Sequence, residues 1–443
     1  MLEKPDMNDV CAAAQAGHPE AQYRLGTWYF SKGEINPALD WLNRAAENHV
    51  SGAQNLLGII YLNGIGTPRD LQKAAELFGA AADRDLQEAH FNLSSLLFSG
   101  RIAQHDDALA LKHLLRAAEQ RHRPALRVLG LLYGIAENAE YQALATQCFA
   151  TAALLGDVHS AYIMGMRYLN GVGIAVNQDE GTYWLISAAN KQLYCASLRL
   201  KSLAAEFGQA SLQRFTRHPV TETKRITAGL LELKAPDIEV NTQISPIRAP
   251  GTVLEYPGIL DGILCDYLVN LAAPRLLPSG VVDPVTGKSL KTALRTSSSM
   301  NYELSMYDMA VGIICRRLSG LSGIESAHAE PISILRYLPG EEYKPHYDHF
   351  AVDEHGAPNV QDTNGQRTAT VFVYLNDVES GGETDFPRLS ARVQPGKGKA
   401  VAFLNCDAAG KPNREMLHAG MPVIRGEKWL ATLWFRERPF NWV

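Results

Sequence analysis

Alanine pairs begin at Ala45, Ala81, Ala117, Ala152 and Ala188, so one small-residue step returns after 36, 36, 35 and 36 residues. A period this regular restricts the first half of the chain to a repeat architecture. A further small residue follows each pair (Ala53, Ala89, Ala125, Ser160, Ala196), and a Leu-Gly step commonly comes next, as at Leu57-Gly58 and Leu129-Gly130. Ala21 and Leu25-Gly26 open the series. In YLNGIGTPRDLQKAAELFGAAA and YLNGVGIAVNQDEGTYWLISAAN a Gly-x-Gly turn ends one helical pattern and another begins. Each repeat is therefore predicted to be a helix pair. One unit departs from the pattern, with FSGRIAQHDD in place of the turn.

Short side chains let neighbouring helices approach closely, and alanine costs least in helix propensity. A unit of this length cannot bury its apolar face alone, so successive units must stack into a solenoid with a long concave surface. The Ala pairs, the Leu-Gly step and the Gly-x-Gly turn resemble the Sel-one-like repeats of the tetratricopeptide superfamily, over roughly residues 5–212. The resemblance implies an all-α solenoid that holds a protein or peptide partner. A rigid spacer or a dimerisation surface is the alternative use of such an array.

At 443 residues the chain is too long for one core, so a second folded unit is expected. Pro219, Pro236, Pro246 and Pro250 interrupt any long helix after the repeats. The predicted division is therefore 1–212 for the repeats, 213–237 for a linker and 238–443 for a second domain, with IEVNTQI (238–244) as its first strand. The balance of 42 Lys+Arg against 47 Asp+Glu leaves no bulk positive field, which argues against nucleic acid as a partner. No apolar run approaches the ~18 residues of a membrane span, and MLEKPDMNDV lacks the apolar core of a signal peptide. Six scattered cysteines without a CxxC pair read as reduced core thiols. A cytoplasmic location with no membrane partner is the resulting expectation.

The second half carries a helical stretch around Asp261 to Ala273, then ISILRYL, TATVFVYLNDV, KAVAFL and WLATLWF. These runs are rich in β-branched and aromatic residues and read as strands without helix alternation, so an antiparallel jelly roll with flanking helices is predicted. On such a strand His346 and Asp348 point to the same side. With His418 they make a two-histidine, one-carboxylate metal set that leaves the opposite face of an iron(II) ion open. His105 and Asp107 have the same spacing, but in a helical repeat, and read as solvated surface. Lys428 opens the strand that contains Trp434, and parity puts the two on one side. Either the ammonium is buried and needs an anion, which a dicarboxylic cosubstrate would supply, or it is a solvated turn lysine of RGEK. Tyr337, Tyr343 and Thr370 are polar groups on or beside the same apolar strands.

The strings YLPGEEYKPHYD, RTATVFVYLNDVESGGETDFP and LHAGMPVIRGEKWLATLWFR resemble the catalytic domain of prolyl 4-hydroxylases, which are iron(II) and 2-oxoglutarate dependent dioxygenases, across roughly residues 238–443. The fold implied is a double-stranded β-helix. The resemblance implies that His346, Asp348 and His418 hold iron, that Lys428 takes the distal carboxylate of 2-oxoglutarate, and that Tyr337 and Thr370 assist it. It further implies that Tyr343 and Trp434, with Arg295 and Ser297 of LRTSSSMNYE, face the substrate. Iron(II), 2-oxoglutarate, dioxygen and ascorbate are the implied cofactors and cosubstrates, and a prolyl residue of a protein or peptide is the implied target, presented by the repeats. The same chemistry on another residue or a small molecule, or a non-catalytic adaptor, are the alternatives. His349 and His355 read as solvated loop histidines, and the long loop AVDEHGAPNVQDTNGQ departs from the family pattern.

Overall fold

The computed structural model of the protein describes residues 6–103, 105–136, 138–208, 221–227, 233–236, 245–282, 289–290, 294–351, 364–407 and 409–441. The strand expected over 238–244 and the loop histidine His355 lie outside the described residues.

The repeats form helices α1 (Met7–Gln15), α2 (Pro19–Ser31), α3 (Ile35–Glu47), α4 (Ser51–Asn63), α5 (Leu71–Ala82) and α6 (Gln87–Phe98). They continue as α7 (Asp107–Glu119), α8 (Arg123–Gly134), α9 (Ala139–Leu154), α10 (Val158–Asn170), α11 (Gln178–Asn190) and α12 (Tyr194–Phe207). Asp70, Asp106, Asn138, Asp157 and Asn177 cap the helices that follow them, satisfying backbone N–H groups that have no partner in the first turn. Gly64 and Gly171 end α4 and α10 in the left-handed conformation, with φ of 66° and 71°. In FSGRIAQHDD the chain turns on Gly100, and Asp106 then starts α7. Alanines of the pairs, such as Ala45, Ala81, Ala117 and Ala188, are fully buried between helices.

Inside the stretch expected to be a linker lies a short helix, α13 (Thr221–Ile226), pinned to the array. The buried Thr223 hydroxyl donates to Glu180 Oε2 at 2.6 Å and accepts from Trp184 Nε1 at 2.9 Å, and the Tyr168 hydroxyl sits 2.9 Å away. The buried Glu180 carboxylate thus takes donors from the connection, the Thr223 hydroxyl and the Glu222 N–H at 2.9 Å.

The second half packs α14 (Gly262–Ala272) and α15 (Met309–Ser322) against strands that run antiparallel throughout. The larger sheet uses β1 (Val253–Tyr256), β2 (Leu277–Pro278), β5 (Ser298–Asn301), β6 (Ser333–Tyr337), β8 (Arg367–Tyr374), β12 (Ala400–Leu404) and β15 (Lys428–Arg436), in the order β1-β12-β8-β15-β6-β5-β2. The smaller is β11-β10-β13-β7, from β7 (Tyr343–His346), β10 (Thr384–Phe386), β11 (Ala391–Val393) and β13 (His418–Gly420). Two ribbons complete the half, β3 (Val281–Val282) with β4 (Ser289–Leu290) and β9 (Ser380–Gly381) with β14 (Val423–Arg425). The architecture is the predicted one: a helical solenoid followed by an antiparallel jelly roll with flanking helices.

The halves share a surface. Helices α6 and α8 lie on α15, α10 and α12 lie on α14, and α4 meets the 3-10 turn Leu304–Met306. One apolar core runs from Leu62 through Phe98, Leu264 and Ile314 to Phe435. Arg316 of α15 grips Asp107 with bonds of 2.5 and 2.7 Å and the Phe98 carbonyl at 2.7 Å, while its guanidinium stacks 3.7 Å from the Phe98 ring. Asp107, expected to be plain solvated surface, is therefore an interface residue. Its carboxylate is chosen by a cation from the other half, which no spacing within the repeat encodes.

Candidate active site

Strands β7 and β13 are paired in a register that sets His346 directly opposite His418. Asp348 follows just after β7 and turns back to the same point, with Oδ1 3.8 Å from His346 Nε2 and Oδ2 3.7 Å from His418 Nε2. Among the described residues this is the one trio whose potential ligand atoms all lie within 4.8 Å of each other.

The hydrogen bonds fix the tautomers. His346 Nδ1 lies 2.8 Å from the Lys344 carbonyl and His418 Nδ1 lies 2.9 Å from the Met416 carbonyl. A carbonyl oxygen only accepts, so each Nδ1 carries the proton and each Nε2 turns a lone pair toward Asp348. Burial, helped by His418, lowers His346 to about 3 and keeps it neutral. Burial alone would raise Asp348, but the two histidines, Arg367 and the Thr370 hydroxyl outweigh it and hold the carboxyl at about 2. Two imidazole Nε2 atoms and one carboxylate are the donor set that suits iron(II) with open positions.

Thr370, on β8, donates to Asp348 Oδ2 at 2.7 Å and accepts from Asn405 Nδ2 at 2.9 Å. Its single proton is thus committed to the metal-site carboxylate, which corrects the expectation that it assists the distal carboxylate of 2-oxoglutarate. The reason is register: Thr370 pairs with Trp434 on β15, several residues along the strand from Lys428.

Lys428 opens β15 opposite Tyr337 of β6 and is only 2% exposed, so it is not the solvated turn lysine. Its ammonium lies 5.4 Å from the ring centres of both Tyr337 and Tyr374. Thr384 of β10, bonded to the Tyr374 hydroxyl at 2.8 Å, lines the same cavity. No carboxylate of a described residue pairs with this lysine, and burial lowers it to about 7, opposed only by Glu383. A buried cation without a counter-ion fits the carboxylate of a bound cosubstrate.

One cavity is lined by Arg295, Tyr337, Tyr343, His346, Asp348, Thr370, His418, Lys428 and Trp434 together. Tyr343 stacks on the His346 ring at 3.4 Å, and the Arg295 guanidinium lies 5.0 Å over Tyr343. Arg295 Nη2 and Trp434 Nε1 are buried donors without partners at the wider mouth, which both residues also line. Ser297 does not reach the cavity: it is 2% exposed, bonds the Ser279 hydroxyl at 2.9 Å and accepts from Arg295 Nε at 3.1 Å. It braces Arg295, the residue two positions earlier. His349 is half-buried rather than solvated, its ring stacked 4.8 Å from Tyr347.

Other residues at this site carry no signal in the spacing. Asn405 supports Thr370 from β12's far end, and Glu330 binds Arg367 through two 2.7 Å bonds and Arg436 at 3.0 Å, with Arg367 4.2 Å from the Trp434 ring. Thr384 stands within the quoted GGETDFP string, where its position beside Lys428 depends on how two sheets face each other.

A profile of the 2OG-Fe(II) oxygenase superfamily matches residues 332–436, and the Sel1 repeat matches 19–49, 51–86, 87–122 and 158–193. Probable prolyl 4-hydroxylase 3 of Arabidopsis thaliana is 36% identical over 198 residues, covering 40% of this chain and 67% of that protein. Prolyl 4-hydroxylase 5 of the same plant is 34% identical over 205 residues, covering 42% of this chain and 68% of its own. The viral collagen prolyl hydroxylase of Paramecium Bursaria Chlorella virus-1, solved as a 2OG complex, is 30% identical with a TM-score of 0.33, covering 42% of this chain and 95% of that one. With a repeat array ahead of a metal trio and a lone buried lysine, this chain belongs to the prolyl 4-hydroxylases of the 2OG-Fe(II) oxygenase superfamily.

Proposed function

We propose that the chain hydroxylates a prolyl residue of a protein or peptide, consuming 2-oxoglutarate and dioxygen and releasing succinate and carbon dioxide, with the repeats recruiting the target. The observation that carries this reading is the convergence of His346, Asp348 and His418 with an unpaired buried Lys428 in one cavity. Iron(II), when held there, would activate dioxygen, the oxidant, so that one oxygen atom enters a C–H bond of the target and the other ends in succinate. The residues of the chain bind and orient. His346 and His418 offer Nε2 and Asp348 an ionised oxygen, while Thr370 and Asn405 hold that carboxylate in place. Lys428 takes the distal carboxylate of 2-oxoglutarate, flanked by Tyr337 and Thr384.

On the target side, Arg295 Nη2 and Trp434 Nε1 are free to donate to peptide carbonyls. The oxygenase half packs on α4, α6, α8, α10 and α12, and α13 packs on α9 and α11, which leaves chiefly the odd-numbered helices ahead of α9 for a target. Ascorbate would serve to return oxidised iron to the ferrous state. No helix among the described residues is long and apolar enough to cross a membrane, and all six cysteines are unpaired, which suits the reducing cytoplasm.

The deciding experiment is succinate release from 2-oxoglutarate by the protein with iron(II), ascorbate and oxygen, with and without proline-containing peptides. Succinate formation that peptides stimulate and that His418→Ala abolishes is expected. Unchanged succinate formation by the variant would refute the ligand assignment, and an added oxygen on a residue other than proline would move the target elsewhere.

A further inference from the structure

We propose that Tyr194, the first residue of α12, is a positioning residue for Lys428, so that the repeat array sets the protein's affinity for 2-oxoglutarate. The inference rests on the reading of Lys428 as the cosubstrate anchor.

Side chains alternate along β15, so the two residues that flank Lys428 direct their side chains away from the cavity. Both meet the array through one residue. The Tyr194 hydroxyl donates to Glu427 Oε2 at 2.5 Å, and the Tyr194 ring meets the Trp429 ring edge-on with centres 5.3 Å apart. Arg336, opposite Trp429 in the β6–β15 register, closes the cluster with its guanidinium 5.6 Å from the Trp429 ring. The oxygenase half fixes the backbone of the same two residues through Asn376, which accepts from Trp429 N at 2.7 Å and donates to the Glu427 carbonyl at 2.8 Å. Lys428 is therefore bracketed twice, once through backbone by its own half and once through side chains by the array.

Tyr194 is itself firmly based. The adjacent Cys195 N–H donates to Asn270 Oδ1 of α14 at 2.9 Å. One turn of the array away, Tyr162 donates to Asp266 Oδ2 at 2.7 Å, and Lys397 binds the other oxygen of that carboxylate at 2.6 Å. A lysine has a long flexible stem, and holding a buried ammonium in place without a partner is unfavourable. Fixing the residues on both sides of it at a strand end pre-organises the charge for an incoming carboxylate and reduces what binding must order.

The test is calorimetric titration of 2-oxoglutarate into the 443-residue chain loaded with manganese(II), where no turnover occurs, beside steady-state kinetics with iron(II). Tyr194→Ala is expected to weaken 2-oxoglutarate binding by about tenfold, and Tyr194→Phe, which keeps the ring but loses the bond to Glu427, by about threefold. Manganese affinity should stay at the wild-type value, and the rise should fall on KM for 2-oxoglutarate with kcat at saturation within about twofold. Unchanged 2-oxoglutarate affinity in Tyr194→Ala overturns the proposal, as does a loss shared equally by manganese affinity and kcat. If Tyr194→Ala fails to fold, Tyr194→Phe and Glu427→Gln decide: each weakens binding and the double variant is no worse than either, or the proposal falls. Lys428→Ala separates the two levels, because tight 2-oxoglutarate binding by that variant removes the anchor reading itself, whereas tight binding by the Tyr194 variants alone removes only this inference.

Discussion

An ammonium held between two tyrosine rings and paired with no carboxylate of a described residue titrates far below a free lysine, and burial brings Lys428 down from 10.5 to about 7. In the unfolded chain the group keeps its proton up to the ordinary lysine range. Between pH 7 and 10.5 the unfolded chain thus binds more protons than the folded one, so the penalty of burying this charge is full below pH 7 and is relieved as pH rises through that window. A bound dicarboxylate reverses the preference and restores the charged form. At pH 8, binding of 2-oxoglutarate is accordingly expected to take up about one proton, read from the binding enthalpy in buffers of different ionisation enthalpy. Lys428→Met should abolish the uptake, and wild-type binding without it would mean that the free lysine is already charged. Strand parity was enough to place Lys428 with Trp434, because alternation is a property of the chain alone, whereas Asp348 joins His346 by a turn of the chain after β7 has ended. The partners of Thr370 and the brace of Arg295 by Ser297 and Ser279 were not legible, since each depends on which residues of separate strands come to face one another.

The Leu-Gly step of the repeats acquires its meaning between elements. A Cβ on Gly58 would lie 2.6 Å from the Phe78 ring, one on Gly130 2.8 Å from Phe149, and one on Gly26 2.7 Å from Leu42. In each case the glycine of one helix is the seat of a large side chain on the next, so the period in the sequence records a packing contact as well as a propensity. Gly130→Ala would favour the helix locally yet must displace a buried phenylalanine, which costs about 1–3 kcal/mol where the surroundings cannot give way. A lower melting temperature for the variant is the expected outcome, and a melting temperature at or above wild type would show that helix propensity outweighs the contact. Periodicity made the helix pairs legible because stacking forces each unit to repeat the same contact. The short helix α13 escaped that reading: its six residues carry no period, and Thr223 is held by Glu180, Trp184 and Tyr168 from other helices.

A solenoid whose units touch only their neighbours is expected to unfold apart from whatever it is joined to, but here the array and the oxygenase half share one apolar core. Phe98 is the hinge of that shared core, 1% exposed, with the Arg316 guanidinium on its face. Gly312 of α15 lets the ring in, because a Cβ there would lie 2.8 Å from it. Nothing in the sequence of either half announces this junction, since Asp107, Phe98, Gly312 and Arg316 each fit the pattern of their own helix. A core continuous across both halves predicts a single calorimetric transition for the full chain, with calorimetric and van't Hoff enthalpies in agreement. Gly312→Val places two methyl groups against a ring that cannot retreat past Arg316, at a cost of about 1–3 kcal/mol borne entirely by the junction. Its expected trace is two separated transitions, one for the array and one for the oxygenase half. Two transitions already present in the wild type would show that the halves unfold independently despite their common surface.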